Sequence, residues 1–186
     1  MKRLGLVMLA IALCVVAARP AMAQGNLRYG VSAGLLLPMG DYNTSSKLGW
    51  VGGAGATYWL TGGTIGIRGD LSYSRTAFDS AATGFSGNTK IFGGTASVVY
   101  ALMPASAPAR LMITGGVGIY NVKADLGGGL SGSSSKVGFA GGAAVAFKMG
   151  TGSTRLVVGT RYTSVSTDGT SRLNFLPITV GLTFGK

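Results

Sequence analysis

Large apolar and small polar residues alternate along most of this chain, and this period of two limits its fold more than any other feature. Residues 176–184 show the pattern clearly, because Ile178, Val180 and Leu182 alternate with Thr179 and Gly181. The same alternation runs through residues 27–37, 65–74, 110–119, 136–148 and 155–162 and, less regularly, through residues 50–60 and 91–102. Because successive side chains of a strand point to opposite faces, the sequence predicts eight β-strands.

The predicted connections alternate in length. Short, turn-rich segments follow the second, fourth and sixth strands, at residues 61–63, 103–108 and 149–153. Longer polar segments follow the odd-numbered strands, at residues 38–49, 75–89, 122–135 and 165–174. Short turns at one end and long loops at the other are typical of outer-membrane barrels. We therefore predict an all-β fold, an eight-stranded antiparallel up-and-down transmembrane β-barrel.

The composition of the two strand faces favours a membrane barrel over a soluble one. The polar face carries mainly Gly, Ser and Thr with a few arginines, and the chain has no Glu. A face in contact with water would normally be rich in Lys and Glu, whereas the interior of an eight-stranded barrel has little room. We therefore expect the polar face to line the lumen and the apolar face to contact lipid.

Aromatic residues recur eight positions apart on three of the predicted strands. The pairs are Trp50 and Tyr58, Phe92 and Tyr100, and Phe139 and Phe147. An even spacing keeps both members of a pair on one face. Eight residues of a tilted strand rise roughly 20 Å, close to the roughly 25 Å apolar band between the two aromatic girdles of an outer-membrane barrel. The spacing therefore predicts two girdles on the lipid-facing surface.

The first 23 residues are typical of a secretory signal peptide. A basic start, Lys2-Arg3, precedes an apolar segment at residues 4–18 and an Ala21-Met22-Ala23 cleavage site. The single cysteine, Cys14, lies inside this segment. We therefore predict a signal peptide at residues 1–23 and an outer-membrane β-barrel at residues 24–186.

Three short segments carry a family resemblance: LPMGD at residues 37–41, GGVGIY at 115–120 and PITVGLTF at 177–184. With the signal peptide, they make the chain resemble the small OmpA/OmpX-like outer-membrane β-barrel family. The resemblance implies a location in the cell outer membrane, contact with outer-membrane lipid and lipopolysaccharide, and insertion by the outer-membrane assembly machinery. Thr179, Gly181 and Phe184 fit the family's C-terminal assembly signal, whereas Lys186 stands where a terminal aromatic residue is usual.

The sequence lacks the residues that catalysis and metal binding require. Enzymes among similar barrels modify lipid A or cleave proteins, and they rely on His together with Ser, Asp or Glu. This chain has no His. Its acids are five aspartates on five separate segments: Asp41, Asp70, Asp79, Asp125 and Asp168. General bases at neutral pH are usually imidazoles, and metal sites use His, Cys or clustered carboxylates. We therefore expect no enzyme activity, no metal site and no cofactor.

One acid, Asp70, lies inside a predicted strand and on its polar face. Arg68 lies two residues away, and Arg161 occupies the polar face of the seventh strand. A carboxylate in a confined interior needs a partner, because an unpaired buried charge is costly. We predict an interior charge network of Arg68, Asp70 and Arg161, in which Asp70 pairs with Arg68 or with an arginine on an adjacent strand.

Two further groups of basic residues lie at the two ends of the predicted barrel. Six are in or beside the long loops: Lys47, Arg75, Lys90, Lys123, Lys136 and Arg172. They either bind the phosphates of lipopolysaccharide, at about 1 kcal/mol for each cation, or are solvated loop charges. Four lie at the short-turn end and form a periplasmic rim: Arg28, Arg110, Lys148 and Arg155. They form either an anion-preferring mouth or, the favoured interpretation, a set of solvated rim residues.

Two functions of different classes fit this pattern. The first is a structural or surface-interaction role, with the four long outer loops as the interaction region. The alternative is a narrow porin-like channel for small solutes or anions. A net charge of +11 also suits nucleic-acid binding, but the charges do not cluster on one element and the chain carries a secretion signal. We expect a monomer that does not bind nucleic acid.

Overall fold

The computed structural model describes residues 26–60, 62–83, 86–125, 131–167 and 172–185, so the predicted signal peptide lies outside the described residues. Each strand pairs antiparallel with the next, and the first also pairs with the last, which closes the barrel. The predicted fold class is confirmed. The strands are β1 (Leu27–Met39), β2 (Gly49–Trp59), β3 (Ile65–Ala77), β4 (Asn88–Ala101), β5 (Ala109–Asp125), β6 (Ser131–Lys148), β7 (Arg155–Ser166) and β8 (Arg172–Phe184).

The apolar face of each strand points out of the barrel and the polar face points into the lumen, as the alternation predicts. On β4, Val98 and Tyr100 are exposed on the outside of the barrel, whereas Thr95 and Ser97 are buried in its lumen. The six aromatic residues spaced eight apart all lie on the outer face, with 44% to 52% of each residue exposed. Because apolar side chains cover the outside, this surface suits contact with lipid.

The strands extend further at the outer end than the alternation indicates. Residues 122–135 were expected to form a loop, but β5 continues to Asp125 and β6 starts at Ser131. The fourth predicted loop is likewise shortened, because β7 ends at Ser166 and β8 starts at Arg172. Beyond the membrane both faces of a strand can meet water, so the apolar period disappears while the backbone pairing continues.

The first two outer connections each contain a short helix, α1 (Asp41–Ser45) and α2 (Ser80–Thr83). Two backbone hydrogen bonds join these connections. The Asp79 N–H donates to the Ser45 carbonyl at 3.0 Å, and the Lys47 backbone N–H donates to the Ala77 carbonyl at 2.8 Å. Lys47 Nζ also lies 3.6 Å from Asp79 Oδ1. No helix within the described ranges is long and apolar enough to cross a membrane.

The connections at the inner end are tight. Gly62 and Gly63, between β2 and β3, have φ angles of 88° and 67°, a left-handed conformation that glycine adopts without strain. The Leu60 carbonyl accepts a hydrogen bond from the Gly63 N–H at 2.8 Å, and the Leu60 N–H donates to Ile65 at the same distance. This turn therefore holds the ends of β2 and β3 together at the inner mouth.

The lumen is filled in layers. An apolar cluster occupies its outer half and consists of Leu36, Tyr42, Val51, Ile91, Tyr120, Val165 and Phe175. We call this cluster the outer plug. A smaller apolar group of Trp59, Val99 and Ala101 lies at the inner end. Between these two layers lie charged and hydroxyl side chains, among them Asp70, Thr95 and Ser97.

Candidate functional site

Asp70 is held between two arginines in the middle of the lumen. Arg68 donates from Nε to both carboxylate oxygens, at 2.8 and 2.9 Å, and its Nη2 lies 2.7 Å from Oδ1. Arg161 Nη2 donates to Oδ2 at 3.1 Å. The structure thus brings together all three residues of the predicted network, which we call the central charge triad.

Asp70 pairs with Arg68, as expected, and has a second partner, Arg161, on a strand that is not adjacent to β3. Arg161 lies on β7, which does not neighbour β3 in the sheet, so its side chain reaches Asp70 across the lumen. An eight-stranded barrel is narrow enough for side chains from opposite walls to meet. The carboxylate therefore links two distant parts of the wall.

A glycine makes room for the carboxylate. Gly55 lies opposite Asp70 in the pairing of β2 with β3. A Cβ atom at this position would lie within 2.4 Å of Asp70 Oδ1, too close for any side chain without a shift of the acid. The absence of a side chain at Gly55 therefore allows the central charge triad to form.

Two of the four predicted rim residues are buried rather than solvated. Arg110 is 4% exposed and Arg155 is 7% exposed. Arg110 stacks 4.1 Å from the Trp59 ring centroid and donates to the Met103 carbonyl at 3.1 Å and to the Gly63 carbonyl. The solvated interpretation is wrong for this pair, because both side chains point into the lumen, where the inner turns supply carbonyl acceptors.

Arg155, Arg28 and Lys148 differ in their contacts at the inner end. Arg155 donates to the carbonyls of Ala105 at 2.5 Å and Ala107 at 3.2 Å, in the turn between β4 and β5. Arg28 is half-buried and donates to the Ser153 carbonyl at 3.1 Å. Lys148 is exposed. The three arginines thus bind turn carbonyls, whereas Lys148, at the inward-facing position opposite Arg155, is exposed.

The six basic residues predicted at the outer end fall into different environments. Arg75, Lys90 and Lys123 lie directly opposite one another on β3, β4 and β5, at outward-facing positions. We call these three the outer cation row. Arg172 lies 5.5 Å from the Phe139 ring centroid, also on the outside. Lys47 pairs with Asp79, whereas Lys136 occupies an inward-facing position opposite Tyr120.

The outer plug is the main interior feature that was not predicted from the sequence. Tyr120 packs edge-on against Phe175 with ring centroids 6.3 Å apart, and its hydroxyl lies 3.1 Å from Thr95 Oγ1. Tyr42 enters from α1, and its hydroxyl lies 2.5 Å from Thr76 Oγ1. The inward-facing position of Tyr120 could have been predicted, because it shares the parity of Gly116 and Gly118 on β5. The position of Tyr42 was not, because it lies in a connection without periodicity.

Two internal cavities lie on either side of the central charge triad and share Arg68 and Arg161 in their walls. The outer cavity, of about 120 Å³, is lined by Asp70, Arg68, Arg161 and by Tyr120 and Phe175 of the outer plug. The inner cavity, of about 130 Å³, is lined by Arg28, Arg68, Arg110, Arg155 and Arg161. The described segments contain no cluster of three or more side chains suited to hold a metal ion.

Comparisons with known proteins agree with this architecture. The family described as "Outer membrane protein beta-barrel domain" matches residues 8–184. No curated protein sequence matches the chain. The solved structure of Neisserial surface protein A is similar over 86% of this chain and 97% of its own, with 15% identity and a TM-score of 0.67.

Two further solved structures show the range of proteins that share the fold. Ail of Yersinia pestis, solved with the heparin analogue sucrose octasulfate, is 19% identical over 86% of this chain and 99% of its own, with a TM-score of 0.52. The outer membrane enzyme PagL is 17% identical over 83% of this chain and 98% of its own, with a TM-score of 0.54. The closed barrel, its apolar outer surface and the family match lead to one conclusion: this chain belongs to the outer membrane protein beta-barrel domain family and is an outer-membrane protein.

Proposed function

We propose that this barrel is a structural and surface-interaction protein that binds lipopolysaccharide on its outer wall and presents its outer loops as the interaction region. The observation that carries the proposal is the outer cation row. Arg75 is paired with Lys90, and Lys90 with Lys123, across neighbouring strands. Like charges directly opposite one another destabilise a sheet, so the row favours an anion shared among its members.

The pairing of Lys90 with Asp125 does not fully neutralise the outer cation row. Lys90 Nζ lies 3.8 Å from Asp125 Oδ2, a loose contact between partly exposed groups. Exposed pairs of this kind contribute little to stability, typically about 0–1 kcal/mol. The phosphate groups of lipopolysaccharide lie at the level of the outer headgroups and carry the charge and the acceptor oxygens that the row lacks.

An apolar depression lies on the lipid-facing wall below this row. It measures about 750 Å³, and its floor consists of small residues: Ala54, Ala56, Gly69, Gly94 and Ala96. Leu71, Gly94 and Ile119 line it four residues along the strands from Arg75, Lys90 and Lys123 respectively. Four residues span about 13 Å of strand. A cationic row above an apolar depression suits an amphiphile with an anionic head and an acyl chain.

The described parts of the first two outer connections form a surface for interaction. The contacts between the first two connections hold α1 beside α2, and Tyr42 anchors α1 in the outer plug. Burial raises the pKa of the Tyr42 phenol above its usual value. A platform of this kind presents its surface without an ordering cost on binding. A non-catalytic role also agrees with a sequence that has no His.

The lumen favours this role over the channel alternative. A channel needs connected water from one end to the other, whereas the side chains of the outer plug and of the central charge triad extend across the lumen and narrow it. We therefore expect the purified barrel in planar lipid bilayers to show no stable single-channel current above the bilayer background. Reproducible ion-selective openings from the folded protein would contradict the structural role and support the channel.

Arg75→Gln tests the binding of lipopolysaccharide. Loss of one cation near an anionic surface costs about 1 kcal/mol, so we expect the affinity for lipopolysaccharide to fall about fivefold. The affinity is measured from the rise in the urea midpoint of unfolding as lipopolysaccharide is added to phosphatidylcholine bilayers. Lys148→Gln removes one charge at the inner end and serves as the control, with no expected change. Equal affinities of Arg75→Gln and wild type would rule out a contribution from the row.

A further inference from the structure

The inner cavity concentrates more positive charge than the nearby acid, Asp70, can balance. Five arginines line it, from β1, β3, β5 and β7. Among the described residues, Asp70 is the carboxylate that pairs with any of them, and it is shared by Arg68 and Arg161. The other three, Arg28, Arg110 and Arg155, have backbone carbonyls as their hydrogen-bond acceptors.

Carbonyl acceptors do not cancel this charge. A carbonyl satisfies a guanidinium N–H group, but it carries no net charge, so the arginines still repel one another. Burial removes most of the water that would otherwise screen this repulsion, because Arg110 and Arg155 are both less than a tenth exposed. An anion in the cavity would relieve the repulsion and accept further hydrogen bonds from the guanidinium groups.

Two polar side chains of the cavity wall lack a hydrogen-bond partner in the structure. Trp59 Nε1, which can only donate, and Thr114 Oγ1 are both buried and unpaired. Buried donors without acceptors are rare, because each costs about 1–3 kcal/mol. Both residues line the cavity that the five arginines share, but these two atoms are not accessible from it, so a guest with acceptor oxygens would contact the arginines.

We propose that the inner cavity is a binding site for a small oxyanion of the phosphate or sulfate class. Guanidinium groups match the geometry of such oxyanions and bind them through paired, charge-assisted hydrogen bonds. A volume of about 130 Å³ exceeds what one water needs by about tenfold, so the cavity can hold an oxyanion with some water. Arg28 is half-buried, so an anion entering the cavity from the inner end would meet it first. The site is enclosed by the barrel wall, so it suits a free anion rather than a lipid headgroup whose acyl chains lie outside.

The fluorescence of Trp59 reports directly on this cavity. The chain has two tryptophans, and Trp50 lies exposed on the lipid-facing surface. In a Trp50→Phe background the remaining emission comes from Trp59 alone. The folded protein is titrated with inorganic phosphate in non-ionic detergent, which contains no lipid phosphate, while chloride holds the ionic strength constant. We expect a saturable change in emission, and competition by sulfate.

Two matched variants locate the binding. Arg28→Gln removes one guanidinium of the cavity and should raise the phosphate midpoint about tenfold, because hydrogen bonds to charged groups are among the stronger ones. Lys148→Gln removes one exposed charge at the same end, outside the cavity wall, and should leave the midpoint unchanged. Altered gel migration on heating verifies that each variant is folded. Absence of saturation in the Trp50→Phe protein would overturn the proposal, as would equal weakening by the two variants. Lipopolysaccharide binding at the outer wall is independent of either result.

Discussion

Asp70→Asn is expected to lower the free energy of unfolding in bilayers by about 3 kcal/mol, the lower end of the range for breaking a buried ion pair. The substitution keeps the shape of the side chain but removes the charge that Arg68 and Arg161 share. The two guanidinium groups remain about a quarter exposed to the internal cavities, so water there compensates part of the loss. Urea unfolding in phosphatidylcholine bilayers measures the change.

Two further variants test whether the cost of Asp70→Asn comes from the lost ion pairs or from the loss of any carboxylate. Asp79→Asn makes the same chemical change at an exposed loop pair with Lys47 and should cost less than about 1 kcal/mol. The double variant Asp70→Asn/Arg161→Gln should be less destabilised than the sum of the two single variants, because the second substitution removes one of the unpaired cations. Equal losses for Asp70→Asn and Asp79→Asn would contradict the importance of the central charge triad.

Ala143→Arg is expected to destabilise the barrel by about 2–4 kcal/mol, since it places a cation on the lipid face near the middle of the membrane. Ala143 lies on β6 midway between Phe139 and Phe147, and its strand partners are Ile113 and Thr160. The free energy of unfolding in bilayers is again the measured quantity.

Two controls test the effect of side-chain size and of depth in the membrane. Ala143→Met adds a side chain of similar length without charge and should remain near wild type. Val145→Arg, two residues closer to Phe147 and the inner girdle, should cost less than Ala143→Arg, because the penalty for arginine falls towards the interface. If both arginine variants unfold like wild type, the outer face of β6 does not contact hydrocarbon.

Much of the fold follows from the alternation because lipid and a narrow lumen impose opposite demands on the two faces. Val117 and Ile119 on one parity, with Gly116 and Gly118 on the other, define β5 clearly. The signal disappears at Asn121 and Lys123, although these residues still pair with Ser135 and Ser133. The backbone hydrogen bonds that extend the hairpin leave no mark on the side-chain pattern once both faces are wet.

The sequence predicted which residues face the interior, but it did not predict which of them contact one another. Alternation places Arg68, Asp70 and Arg161 on the inward side, yet the contact across the lumen depends on the barrel diameter and on the room left at Gly55. The burial of Arg110 depends on the carbonyls of Met103 and Gly63, which belong to two different turns. A pattern confined to one strand carries no information about turns that fold over from other parts of the chain.

The pairing of β1 with β8 has a consequence for biogenesis. Its register runs from Tyr29 opposite Phe184 to Met39 opposite Asn174, so the seam joins the first strand of the barrel to the last. Until β8 is translated, the nascent chain has an open edge on β1, whose unsatisfied groups cost several kcal/mol each in hydrocarbon. A chain lacking these last 13 strand residues cannot cross the bilayer as a partial sheet. We therefore expect membrane insertion to require β8, and so to follow its translation.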